Sequence, residues 1–241
     1  MARLIAWAPG LQYITMEPLS GPRTIGSGAS QSIGGYTQSV ASPFGLWRWK
    51  FGFAPMRGDG LRRYRGMVAA LHGGANAVRV PIYDPDMITN VHSLGIGNVN
   101  GVTFDNGLGW RIGGTSRPFR VSRSPVALTM ALSVGSTNVS LDPSGWGGTL
   151  DVGSYISFWP DYFGLHVVTQ VYAPGEYKVW PPVRRARTTS DYATLDPVLA
   201  MRLESEEAGA TSRGQWLAEG LTLTMVEVED ADVRSYFADA A

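Results

Sequence analysis

The sequence predicts a mainly β protein with one amphipathic helix. Three observations carry that reading. Short apolar runs with alternate-residue spacing recur along the chain and are cut by turn residues. Gly (30 residues) and Pro (15 residues) are abundant in the 241, and charged residues make up only 17%, a composition poor in the residues that dominate helical proteins. Helical spacing is clear in one place, after Asp59. The expected organisation is a β-sandwich-like N-terminal domain with a strand-helix-strand order over residues 1–124, and a small β-barrel-like domain over 125–241. The last strand, Leu221 to Val228, is expected to return to the first domain.

Each element has its own signal. Residues 1–45 are rich in Gly, Ser, Pro and Thr, with candidate strands at Leu11 to Met16 and Tyr36 to Val40. Trp47, Trp49, Phe51 and Phe53 then alternate with Arg48, Lys50 and Gly52, the period of a strand with one buried face. That aromatic row reads as core, with a ligand-stacking platform as the other reading. Asp59 opens the helix, expected over 59–72, with Leu61, Tyr64, Val68 and Leu71 on one face and Gly73-Gly74 closing it. Arg62, Arg63 and Arg65 lie beside that apolar stripe, either as a solvated face or as a surface for an acidic partner. Ala77 to Tyr83 reads as the next strand. From Ile88 to Pro118 the chain is Gly- and Asn-rich, with brief alternation at Val102 to Phe104 and Trp110 to Ile112, a long loop or loose hairpin. Alternation resumes at Val139 and Leu141. Strands follow at Tyr155 to Trp159, Leu165 to Tyr172 and Glu176 to Trp180, the last stopped by Pro181-Pro182, which lack the ladder donor. Val198 to Leu203 and Leu221 to Val228 complete the set. The acidic run Glu227, Glu229, Asp230 and Asp232 reads as a solvated tail, with a contact to arginines of a neighbouring copy as the other reading.

Charge and motif content narrow the function. Twenty basic residues balance twenty acidic ones, so no overall field draws nucleic acid or anionic lipid. Cys is absent, which excludes disulfides, Cys-ligated zinc and thiol nucleophiles. The apolar stretch in Met1 to Pro9 is too short for a signal-peptide core, and no run approaches the ~18 apolar residues of a membrane span; a soluble chain made in a cytoplasm is expected. The three histidines, His72, His92 and His166, are too scattered to share a metal. Asp84-Pro85-Asp86 and Asp105-Asn106-Gly107 lack the ligand spacing of a calcium loop. No nucleophile elbow, phosphate loop or zinc-protease motif occurs. Glu206-Glu207, or Asp161 with Glu176, are the only paired carboxylates that could serve a glycosidase; on a strand the adjacent Glu206 and Glu207 would face opposite ways. No catalytic residue, cofactor or metal is expected.

The order of these features resembles the distal tail protein of long-tailed, non-contractile bacteriophages and of gene transfer agents. The residues that carry the resemblance are Gln38 to Trp47 with the aromatic strand after them, the arginine-bearing helix ending in His72-Gly73-Gly74, and Val80 to Pro85. Val152-Gly153-Ser154, Leu165 to Thr169, Trp180 to Arg184 and Met201-Arg202-Leu203 extend it to most of the chain from Gln38 to Leu203. The segment Ile88 to Pro118 has no counterpart in that pattern. The resemblance implies a structural virion protein: a homo-oligomeric ring, usually sixfold, joining the tail tube to the tail-tip hub. It would carry no cofactor and do no chemistry, bind neither nucleic acid nor membrane, assemble in the host cytoplasm and reside at the tail tip. On that reading Arg62, Arg63 and Arg65 are the candidate contacts between copies or with the tube. The alternative is a carbohydrate-binding β module that stacks sugars on Trp146, Trp159, Tyr162, Phe163 or Trp180.

Overall fold

The computed structural model describes residues 4–21, 30–31, 37–38, 45–82, 103–104, 110–111, 126–143, 150–159, 164–195, 197–210 and 216–228. The strands in chain order are β1 (Leu4–Ala6), β2 (Tyr13–Ser20), β3 (Ser30–Gln31), β4 (Thr37–Gln38), β5 (Arg48–Phe53), β6 (Ala77–Pro81), β7 (Thr103–Phe104), β8 (Trp110–Arg111), β9 (Val126–Ala127), β10 (Asn138–Ser140), β11 (Tyr155–Trp159), β12 (His166–Ala173), β13 (Glu176–Trp180), β14 (Tyr192–Thr194), β15 (Val198–Leu203) and β16 (Thr222–Glu227). Helix α1 spans Asp59–Ala70 and runs into a 3-10 turn at His72–Gly74. Among the described residues the fold is thus mainly β with one α-helix. Strands β3 and β4 form one two-stranded ladder and β7 with β8 another.

The chain divides into two compact units, Met1–Val80 with Val198–Ala241, and Pro81–Pro197. A single cut at residue 124 therefore does not describe it. The reason is strand pairing: β15 and β16 occupy the middle of the first unit's sheet, whose order is β1-β6-β15-β16-β5-β2. Thr222 to Val226 on β16 pair antiparallel with Gly52 to Arg48 on β5, and β15 pairs antiparallel with β16. At the far side β1 joins β6 in parallel.

One face of this sheet is covered by α1, not by a second sheet, among the described residues. Alternation along β5 sends Trp49, Phe51 and Phe53 to that face, where they are 0%, 0% and 5% exposed. Leu61, Tyr64, Met67 and Leu71 of the helix are buried against the same core. The Phe53 and Tyr64 rings meet edge to face at 5.2 Å, and the Tyr64 hydroxyl donates to the Thr222 carbonyl at 3.1 Å. Trp47 and Trp49 continue the aromatic row, with ring centroids 6.0 Å apart. Aromatic side chains remove roughly 150 to 250 Å² each from water, so this row is a large part of what holds the unit. Gly74 ends the helical segment at φ 96. A Cβ there would sit 2.6 Å from the Leu203 carbonyl oxygen, so glycine is required by conformation and by space.

The second unit is an antiparallel six-stranded sheet in the order β10-β13-β12-β11-β14-β9. Its two ends meet. Leu128, just after β9, bridges Leu141, just after β10; the Thr129 N–H donates to the Ser140 carbonyl at 3.0 Å and the Asp142 N–H to the Ala127 carbonyl at 2.9 Å. The sheet is therefore closed, a small barrel without open edges. Strands β11, β12 and β13 form a meander, and β14 returns beside β11, the Greek-key order. The interior is filled by side chains that include Val126, Leu141, Ile156, Phe158, Val168, Tyr177 and Val179. The Tyr177 hydroxyl accepts from the Leu150 N–H at 3.1 Å, which pins the loop entering β11.

Candidate functional site

Helix α1 places the three arginines singled out by the sequence. At about 100° per residue the buried side, Leu61, Tyr64, Met67 and Leu71, leaves Arg62 aimed directly away from the sheet, with Arg65 and Arg63 splayed to its two flanks. All three are exposed. Arg62 is paired with Asp59 one turn earlier, a contact of small energetic weight at this exposure. The Arg63 guanidinium lies over Gly10, where a Cβ would collide with it. Arg63 and Arg65 form no ion pair among the described residues. Arg57, also exposed, precedes the helix.

Large apolar side chains remain on the surface of the same unit. Trp216 is 80% exposed. Ala218, two residues on, exchanges both backbone hydrogen bonds with Met56, at 3.0 and 3.1 Å, so Trp216 stands where the chain enters α1. Strand β2 ends the sheet, and on it Ile14 is 65% and Leu19 37% exposed. Register shifts near Tyr13 and Pro18 interrupt its pairing with β5, and bulges and proline are the devices that discourage further strands from adding to an edge. Its exposed side chains, more than its backbone, are what β2 offers to a partner.

Acidic residues are distributed differently. Glu206 and Glu207 do not lie on a strand: they open a 3-10 turn, Glu206–Gly209, and both are exposed. The turn packs at the far end of α1, with Gly209 against Val68 and Leu223 and the Glu206 stem against Gly73. Glu204 pairs with Arg48 across β16. Glu227 corrects the expectation of a solvated acidic tail. It is 2% exposed, and its Oε2 accepts from the Trp47 N–H at 3.0 Å while its own N–H donates to the Trp47 carbonyl at 2.8 Å. The sequence signal was the strand alternation itself, which puts Glu227 on the face of Leu223 and Met225. Residues 229–241 lie outside the described residues.

In the second unit the notable polar groups are internal. His166 is fully buried, and its Nδ1–H donates to the Pro181 carbonyl at 2.7 Å, the satisfied core histidine that the sequence allowed. Burial above all lowers its pKa to about 4; the Pro181 carbonyl opposes this, while the charges of Arg184 and Arg187 add to it. Phe158 packs edge-on against the imidazole at 5.2 Å, and the Arg187 guanidinium lies over the other ring, 5.8 Å from its centroid. The Ser157 hydroxyl donates to the Gly164 carbonyl at 2.6 Å. In the first unit, burial likewise pushes the Tyr64 phenol up to about 12.

Of the sugar-stacking set only the Trp180 side chain falls among the described residues. Trp180 is half-buried, the Trp159 side chain and all of Trp146, Asp161, Tyr162 and Phe163 lie outside the described residues, and Glu176 is exposed on β13. His92, Asp84 to Asp86 and Asp105 to Gly107 are outside them too. Among the described residues no three His, Asp or Glu side chains gather as a metal site, and no helix is long and apolar enough to cross a membrane. No protein-family model matches the chain, and no curated protein matches its sequence.

Proposed function

We propose that the chain is a structural protein that works by assembly: a ring-forming component of a phage-type tail tip, joining a tail tube to a hub, with neither a catalytic centre nor a cofactor. The observation that carries the reading is the surface of the first unit. A tryptophan at 80% exposure and an isoleucine at 65% on the sheet's last strand are costly to leave in water and are the kind of anchor that protein interfaces bury. On α1 of the same unit Arg63 and Arg65 are exposed and form no ion pair among the described residues, and Arg is likewise enriched at interfaces. The sequence resemblance supplies the particular assembly. A closed barrel inserted into that unit suits a rigid structural part, because closure removes the strand edges through which such proteins would otherwise aggregate.

The test is the native mass of the purified chain by light scattering, with negative-stain images of the same fraction. Ring-shaped particles near six times the 26.0 kDa chain mass are the expected result. A monomer at every concentration, and in the presence of assembled tail tubes, overturns the reading.

A further inference from the structure

Resting on the ring reading, the geometry points to a head-to-tail contact in which the arginines of α1 on one copy, centred on Arg62 and Arg65, seat against the acidic turn Glu206–Glu207 of the next copy. Three features of the first unit lead there. Arg62 points away from the sheet and Arg65, one helical turn on, is splayed to its flank; Arg65 has no ion-pair partner among the described residues. Glu206 and Glu207 are exposed and likewise form no ion pair there. Both patches belong to the first unit, with the Glu206 stem against Gly73, about 16 Å along the helix axis from Arg62 and about 12 Å from Arg65.

The ring reading decides the symmetry. A patch and its complement at different places on one molecule can pair reciprocally across a twofold axis, but in a ring of more than two copies the contact is head to tail. Repeated head-to-tail use consumes each patch once per copy and closes into a ring when the rotation allows. The occupant follows from charge. The exposed Glu206 and Glu207 of a second copy, which form no ion pair among the described residues, offer the acidic complement to the arginines. Trp216, exposed near the start of α1, supplies the apolar anchor; the charges set orientation and encounter.

Charge reversal tests this without needing an outside partner. R62E/R65E makes both patches acidic and E206R/E207R makes both basic; the four positions are exposed, so thermal melts should match the parent chain. Each variant alone is expected to raise the concentration for half-assembly by at least about tenfold. An equimolar mixture of the two, in which every junction again joins opposite charges, should recover particles of the parent mass, and so should the quadruple variant. Variants that assemble like the parent overturn the head-to-tail contact and leave the ring reading intact. Folded single-side variants that fail both in the mixture and in the quadruple chain also overturn it. A parent chain that never assembles, even on tail tubes, removes the ring reading and this contact with it.

Discussion

Acid should unfold the barrel through one residue, His166. In the folded chain its imidazole is enclosed by Phe158 and the strand ends, with Nδ1–H donated to the Pro181 carbonyl and the guanidiniums of Arg184 and Arg187 acting on it. The neutral form is favoured there, and the pKa falls from 6.5 to about 4. Between those values the unfolded chain binds a proton that the folded chain refuses, so stability rises with pH. The contribution is fully present above about pH 6.5 and is lost as pH falls toward 4. The loss should be about 2 kcal/mol at pH 5 and about 3 kcal/mol at pH 4, taking 1.36 kcal/mol per pKa unit. The comparison is between the parent chain and H166N, whose amide can donate from the Nδ1 position and does not titrate. Pulse-labelling hydrogen exchange across a urea series, read on barrel peptides, gives that unit its own midpoint at each pH. The parent midpoint should fall steeply between pH 6.5 and 4 while the H166N midpoint stays flatter by the stated amount. Equal slopes in the two proteins would refute the reasoning and show that His166 charges in the fold at no cost.

Further expectations concern the first unit. E227A strands the buried Trp47 N–H and should cost about 1 to 3 kcal/mol by urea denaturation, whereas E227Q, which keeps an acceptor, should cost clearly less. G74A forces a Cβ onto the Leu203 carbonyl at φ 96 and should lower stability by more than about 1 kcal/mol, with no such effect from G66A, whose Cβ would meet open space. Y64F removes the donor to the Thr222 carbonyl and should cost about 0.5 to 1.5 kcal/mol. In the parent chain the Tyr64 phenolate should appear in ultraviolet absorbance only near pH 12. W216A should leave the melting temperature unchanged while weakening assembly, since an 80% exposed ring contributes little to the monomer's own core; a lowered melt with unchanged assembly would contradict its role as an anchor.

Local structure was legible in the residues wherever a periodic pattern met a clear stop. Strand β5 shows in the Trp-Arg-Trp-Lys-Phe-Gly-Phe alternation, α1 in Asp59 and the three-and-four spacing after it, and β13 in its Pro181-Pro182 end. Short strands gave no such signal. Leu4–Ala6 and Tyr192–Thr194 are three residues each, too few for a period to appear, and they exist because a neighbouring strand supplies the ladder. The conformation of the adjacent Glu206 and Glu207 was not legible for a related reason: whether they sit on a strand or on a 3-10 turn depends on how the turn packs against Gly73 and Val68.

By itself the sequence determined the composition of the elements: a β-rich chain, one helix with an apolar stripe and three arginines off it, and an aromatic row with one buried face. Those are consequences of neighbouring residues and of spacings of two to four. Only the tertiary structure decided which strands are neighbours. Pairing of β16 with β5 joins residues more than 160 positions apart, and that pairing makes the first unit discontinuous, buries Glu227 beside Trp47, and covers the aromatic face with α1. Barrel closure through Leu128 and Leu141 was settled in the same way, because hydrogen-bond partners between strands are chosen by long-range packing, for which no local pattern in the chain carries a code.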